Sequence, residues 1–364
     1  MKITLKNTPE QVELVKAMAS RNRDVAYEAQ TALAEFIGPV LSEVINQAPA
    51  LSNLFTTLQY NADDNPSIPL DLYFDVADED YIQVFSQSRA GGLPTSEVLP
   101  TSSELKIATY SLDSAVSFDR RYAAKSRMDV VAKTMTRVAQ EILLKQNTIS
   151  ANVVLSALAD ASTGGTSHLL SSAVANKFTL ADLNAMLTKS KRIVTSFAGG
   201  TPDARQGKGI TDIIVSPEIV ENLRAIAYNP LSAGVPNADV IAEDAYKAAG
   251  APQFYGINVI ELNEMGTNQK FNSLFTTAAA SITPAHGSTA FVDADDELVL
   301  GIDRTRESLI RPVAVDAENG GEFNLIADDQ YSIRQNKIGY FGSLEEGRVV
   351  LDNRALIGTL VMGA

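Results

Sequence analysis

A strand pattern that turns into one very long helix dominates the chain. Leu105 to Tyr110 and Ala115 to Phe118 alternate apolar and polar residues, as a half-buried strand does. After a polar break, Val131, Met135, Val138, Ile142, Ile149 and Val153 recur at helical spacing from about Ser126 to Asp160. Lys133, Arg137, Gln140 and Lys145 fall on the opposite side, and Asn147-Thr148 is a candidate bend. Ordinary globular helices run roughly three or four turns. A rod of this length behind an extended segment suits a wall better than the lining of a pocket.

Upstream, Thr8-Pro9-Glu10-Gln11 is a helix start: Thr8 caps, Pro9 takes the first helical position, and Gln11 sits where a capping box wants it. Val12, Val15, Ala19, Ala26, Ala29, Leu33 and Phe36 follow at near-helical spacing. Gly38-Pro39 is expected to interrupt that helix, with a second piece from Val40 to Ile45. This small-residue-rich region reads as an arm that packs on something else. Asn61 to Pro69 is a turn-rich break. Leu70 to Phe74 and Tyr81 to Phe85 have strand character around an acidic run, and Arg89-Ala90-Gly91-Gly92-Leu93-Pro94 forms a tip. Pro66 to Tyr110 is therefore expected to be a protruding two-stranded loop. An isolated hairpin is marginal in water, so it needs a neighbour.

Downstream, Ser162 to Ser172 reads as a loop, and Thr179, with Asp182 three residues on, opens a helix over Phe178 to Ser196. Gly199 to Gly209 is a polar connector. Asp212 to Ser216 is a buried strand, Pro217 starts a helix that ends at Tyr228, and Asn229 to Pro236 is a loop. Strands follow at Ile257 to Glu261, Ser288 to Val292 and Glu297 to Ile302, an alternation that suits an α/β unit. Leu309 to Val315 and Glu322 to Ile326 flank Asn319-Gly320-Gly321, a hairpin turn. Lys337 to Phe341, Arg348 to Leu351 and Leu356 to Met362 close the chain as strands.

Composition narrows the function classes. No apolar run reaches the roughly 18–20 residues that span a bilayer, so no membrane partner is expected. The opening MKITLKNTPEQ has no apolar core, so no secretory signal is expected either. The absence of Cys removes disulfides, thiolate nucleophiles and Cys-based metal centres, and fits folding in a reducing cytoplasm. Net charge is −14, Trp is absent, and cations cluster only at Arg120-Arg121 and Lys189/Lys191/Arg192. A protein that grips nucleic acid needs a cationic surface. If this chain meets DNA, it is expected to contain it rather than grip it.

Candidate chemistry is sparse. His168 and His286 lie in loops without HxH, HxxxH or HExxH spacing, and both read as plain loop residues. Asp75/Asp78/Glu79/Asp80 and Asp293/Asp295/Asp296 could offer oxygens to a hard cation. Neither follows the EF-hand order, so both read first as solvated turns. Gly199 to Gly209 lacks the phosphate-loop spacing, with Pro202 where a Gly is needed and Gly209 where Ser or Thr is needed. No cofactor is expected.

Leu105, Ile107, Tyr110, Ser111, Val116 and Ser117, leading from the Gly91-Gly92-Leu93-Pro94 tip into the long helix, resemble a segment of the tailed-bacteriophage major capsid proteins. Their Hong Kong-type capsid fold is shared with encapsulin nanocompartments. Asn336 to Phe341 with Arg348 to Val350 resembles that family's last long strand, and Arg354 to Thr359 its final return strand. Gly199 to Ser216 resembles the start of the axial domain in contractile-tailed phages.

The resemblance implies an α+β fold: an N-terminal helical arm (1–65), an extended β-hairpin loop (66–110), a peripheral domain with a spine helix (111–198), an α/β axial domain (199–304), peripheral-domain strands (305–353) and a return strand (354–364). It implies a non-enzymatic subunit that forms pentamers and hexamers in an icosahedral virion shell around double-stranded DNA, assembled in the host cytoplasm with portal and scaffold or decoration proteins. Inter-subunit contacts are expected from Thr8, Val15, Leu33 and Phe36 on the arm, from Arg89, Gly91, Gly92, Leu93 and Pro94 at the loop tip, and from Asn229, Pro230 and Pro236 near the capsomer axis. The loop from Pro66 to Leu105 contains no lysine, so the Lys–Asn crosslink of some relatives is not expected. Met1 at the start leads to the expectation that no N-terminal segment is removed. An encapsulin-like compartment, a carboxylate-metal enzyme built on Asp293, Asp295 and Asp296, and a surface-binding module are the rival readings.

Overall fold

The computed structural model describes residues 8–46, 50–61, 64–69, 104–125, 127–161, 168–194, 209–228, 253–254, 256–279, 291–315, 322–328 and 335–363. The chain makes two compact units, each assembled from three stretches. Residues 1–65, 108–151 and 310–349 form the first, and 66–107, 152–309 and 350–364 the second. Helices and mixed sheets build both, in keeping with the expected α+β class. The expected peripheral domain is thus divided between Ala151 and Asn152.

In the first unit, α1 (Pro9–Met18) starts where expected, with the Thr8 hydroxyl accepting from the Gln11 amide at 3.4 Å. Only that half of the capping box forms, because Gln11 Oε1 is buried without a partner. The helical region breaks at Ser20-Arg21-Asn22 rather than at Gly38-Pro39. Ser20 Oγ accepts from the Asn22 amide and Asn22 Oδ1 from the Asp24 amide, so these side chains compete for backbone and cap the next helix. That helix, α2 (Arg23–Asn46), continues through Pro39. A proline inside a helix costs about 3 kcal/mol. Here Leu33, Ala34 and Ile37 before it and Leu41 and Ile45 after it all enter one core, which offsets that cost. Gly38 lies against Leu325, where a Cβ would already be in contact at 3.8 Å.

The first sheet runs β1 (Thr56–Asn61), β10 (Leu309–Val315), β12 (Lys337–Gly347), β11 (Asn324–Asp328), with β4 (Thr109–Asp119) also on β12 and β13 (Val349–Val350) also on β10. β4 and β12 pair antiparallel along their full length, from Lys337↔Asp119 to Gly347↔Thr109. β11 and β10 therefore share the other edge of β12. This corrects the expected hairpin: β10 and β11 are not partners, and each pairs with β12 instead. β1, which has no alternating pattern to announce it, adds parallel to β10. A short helix, α3 (Arg120–Ala124), follows β4 with Asp119 as its cap.

The long helix α4 spans Met128–Asp160 without interruption. Thr148 and Ser150 bond back to the Leu144 and Gln146 carbonyls inside it. Val131, Met135, Val138 and Ile142 are core residues as expected, and Lys133, Arg137, Gln140 and Lys145 are exposed. Ile149 and Val153 are only half-buried. The buried face passes instead through Gln146, Asn147, Ser150, Ala151 and Val154.

In the second unit, six strands run β5 (Leu169–Ser171), β14 (Leu356–Val361), β9 (Glu297–Ile302), β6 (Asp212–Val215), β8 (Ile257–Glu261), β7 (Gln253–Phe254). β6 and β8 are parallel, while β9 is antiparallel to both β6 and β14. Every residue of β14 and β6 is buried, as in strands covered on both faces. Gly301 admits the Met186 side chain of α5 (Leu180–Val194), whose methyl would lie 2.6 Å from an added Cβ. Thr179 and Asp182 cap α5 reciprocally: Asp182 Oδ2 accepts from the Thr179 amide at 2.8 Å, and Thr179 Oγ1 accepts from the Asp182 amide. Ser216 caps α6 (Pro217–Tyr228) through the Ile219 amide, with Pro217 in the first turn. A helix that the sequence pattern did not announce, α7 (Lys270–Ala278), buries Phe271 and Phe275. Val292 is not in a strand; most of the expected Ser288–Val292 strand lies outside the described residues. β2 (Ser67–Pro69) and β3 (Glu104–Lys106) pair antiparallel at the base of the expected loop. Residues 70–103, with the two expected strands, the acidic run Asp75–Asp80 and the tip, lie outside the described residues.

Candidate functional site

The densest polar constellation is a buried knot in the first unit. Glu346, on β12, is fully buried, and its two oxygens accept from five donor atoms. Tyr110 Oη donates at 2.7 Å, Arg311 Nε at 2.6 Å, Gln146 Nε2 at 3.0 Å, and Arg348 Nε and Nη2 at 3.3 and 3.1 Å. Arg348 also donates to the Ser52 carbonyl at 3.1 Å and lies 5.0 Å from the centroid of the Phe55 ring. Asn147 Oδ1 accepts from the Leu51 amide, so adjacent residues of α4 hold both the knot and the turn before β1. Burial alone pushes the Glu346 carboxyl up, but Arg348 and Arg311 outweigh it and hold the group below its ordinary range. Burial and the Glu346 charge push the Tyr110 hydroxyl well above its ordinary value.

The second unit has its own polar tie. Asp352 accepts from Arg306 Nη1 at 2.6 Å and from the Arg354 side chain and amide at 3.0 and 2.9 Å. Burial raises that carboxyl, but bonding and charge from Arg354, with the Arg306 charge, bring it below its usual range. His168 is no plain loop residue. It is buried, and its Nδ1 lies 2.9 Å from the Leu356 carbonyl. A carbonyl only accepts, so Nδ1 carries the proton. Desolvation then lowers the imidazole pKa and keeps the ring neutral. His286 lies outside the described residues.

The acidic turn does not gather its carboxylates. Asp295 is exposed, whereas Asp296 is buried and spends Oδ2 on the Val292 amide and Oδ1 on the Gly363 amide, both at 2.8 Å. The Asp293 carbonyl accepts from the Asn268 amide. Among the described residues, no group of three or more His, Cys, Asp or Glu is placed to hold a metal ion. These polar groups tie strands together.

Of the expected contact residues, Thr8 serves as a cap, and Val15 and Leu33 are inside the first unit's own core. Phe36 is 55% exposed, on the same side of α2 as exposed Val25 and Val40. Arg89, Gly91, Gly92, Leu93, Pro94, Asn229, Pro230 and Pro236 lie outside the described residues. Sequence reasoning missed the Glu346 knot. Its one available signal was the opposite charges of Glu346 and Arg348, two residues apart beside a strand pattern.

No family model matches the chain, and no curated protein matches it. Among solved structures, it is similar to the encapsulin of the holo-SrpI complex from Synechococcus elongatus, with TM-score 0.46 and 11% identity over 86% of this chain and 87% of that one. It is similar to the capsid of the cyanophage P-SCSP1u, with TM-score 0.45 and 13% identity over 85% of this chain and 87% of that one. It is also similar to the mature capsid of bacteriophage PhiM1, with TM-score 0.47 and 10% identity over 85% of this chain and 86% of that one.

Proposed function

We propose that the chain is a shell-forming subunit, the major capsid protein of a tailed bacteriophage, which closes as pentamers and hexamers around double-stranded DNA and performs no catalysis. One observation carries this reading. The two stretches whose residues resemble the capsid family, Leu105 to Ser117 and Asn336 to Val350, lie far apart in sequence, yet from Thr109 and from Lys337 onward they form the two sides of one ladder. Tyr110 faces Glu346, Val116 faces Tyr340, and Ser117 faces Gly339. Along the chain, β4 begins soon after β3 closes the base of the extended loop, and α3 and α4 follow β4 directly. In sequence order, the ladder's first strand therefore lies between the loop base and α4.

Surface chemistry agrees with assembly. The first unit leaves Phe36 and Leu58 exposed, and Ile326 sits directly across from exposed Phe341 on the sheet. Scattered apolar contacts of this kind are weak singly and sum when a symmetric shell closes. The test is deletion of Ser88 to Ser96 in the full chain. The expected product keeps native circular dichroism and sediments as free subunits, while the intact chain sediments as shells containing DNA. Normal shells from the deletion refute the loop's part, and intact shells filled with a protein cargo in place of DNA identify a nanocompartment instead.

A further inference from the structure

Charge is unevenly placed in this molecule. Between Arg120 and Lys145 lie seven cations (Arg120, Arg121, Lys125, Arg127, Lys133, Arg137 and Lys145) against two carboxylates, Asp129 and Glu141, in a chain of 30 cations and 44 carboxylates. Arg120 is spent on the Ala19 carbonyl. The other six are exposed, and none is in an ion pair among the described residues. Lys133, Arg137 and Lys145 recur with Glu141 at intervals of four along α4, opposite its buried face. At about 1.5 Å rise per residue they cover roughly 18 Å, the length over which a duplex presents about ten phosphates. Gln140 borders the row with an exposed neutral amide. α1, packed on α3, adds exposed Glu10, Glu13 and Lys16.

We infer that the exposed face of α3 and α4 binds the phosphate backbone of nucleic acid without reading its sequence. This is the local exception to a negatively charged chain. A membrane surface is the poorer fit, since a helix lying on a bilayer sets an exposed face of large apolar residues beside its cations, and among the described residues this face exposes only Tyr122 and Leu144 as large apolar side chains. The inference does not rest on shell formation, because a free subunit carries the same face.

The experiment is fluorescence anisotropy of a labelled random-sequence duplex with the full chain as free subunits, across a salt series. The comparison is K133Q/R137Q/K145Q against the charge-matched control K177Q/K191Q/R224Q, whose cations lie in the second unit. Removing one cation that touches a phosphate lowers the salt slope by about 0.9. The α4 triple variant is expected to lower it by about 2 to 3 and to weaken binding at least about tenfold, while the control stays at wild type. If the triple variant loses its circular dichroism signal, R137Q and K145Q singly are each expected to lower the slope by about 0.9. Absence of salt-dependent binding by the wild type, or equal weakening in both triples, overturns the inference. So does tighter binding to phosphatidylserine vesicles, or to a peptide of the acidic run Asp75–Asp80, than to the duplex.

Discussion

Replacing Glu346 by Gln removes the one negative charge in the first unit's buried knot and keeps its volume. Glu346 is fully buried and receives five donors, two of them from Arg348 and one from Arg311. A glutamine puts an amide N–H₂ where one carboxylate oxygen accepted. Tyr110 can reverse its hydroxyl to accept, but neither guanidinium can. Both guanidiniums then lose their shared carboxylate in a dry site. Breaking a buried ion cluster from one side costs about 3–5 kcal/mol, a large share of the 5–15 kcal/mol by which a domain is ordinarily stable. At about 1.4 kcal/mol per factor of ten, native-state hydrogen exchange in β4 and β12 is expected to accelerate by roughly a hundred- to a few-thousand-fold at pH 7, with β6, β9 and β14 unchanged. The Glu346 carboxyl is held below its ordinary value of 4.5, so its stabilising contribution is present above that pH and is lost as pH falls through the folded value. The gap between variant and wild type therefore narrows in acid. Exchange in β12 within about threefold of wild type at pH 7 would refute the reasoning.

His168, kept neutral by burial, gives the second unit the matching behaviour at milder pH. The unfolded chain takes up a proton near 6.5 that the folded one refuses, so stability falls as pH drops below 6.5, and H168Q is expected to flatten that fall in thermal melts. Gly342→Ala drives a methyl to 2.4 Å from Phe323 Cζ; it is expected to lower stability by about 1–3 kcal/mol, and adding Phe323→Leu is expected to recover part of that in urea unfolding. Thr179→Ala removes a cap and is expected to cost about 1 kcal/mol, whereas Asp182→Ala costs more because Asp182 Oδ1 also accepts from the Ala173 amide. Calcium or magnesium is expected to leave the melting temperature unchanged, since both Asp296 oxygens already hold backbone amides.

Where burial followed apolar periodicity, the sequence was sufficient. The first half of α4 and strands β6, β9 and β14 are mainly apolar at their buried positions, and the start of α5 carries its cap in Thr179 and Asp182. It was insufficient where polar residues are buried or where tertiary packing overrides a local rule. Gln146, Asn147 and Ser150 occupy the core-facing stripe of α4, so an apolar template follows Ile149 and Val153 to the wrong side. Pro39 should break a helix, but apolar residues on both sides of it enter one core. β1 has four exposed residues at its start and is held by pairing with β10. Asn319-Gly320-Gly321 marks a turn, but turn chemistry cannot say that β12 takes both flanking strands. His168 shows the same limit, since nothing nearby in sequence announces the Leu356 carbonyl it meets.

Interlocking into a closed container is what the ladder, the rod and the loop base are proposed to serve. Electron microscopy of the purified full chain examines that with the fewest intermediate steps. Hollow, closed particles of uniform diameter are the expected image. A field of single subunits or small open oligomers, under conditions where circular dichroism reports a folded chain, would contradict it.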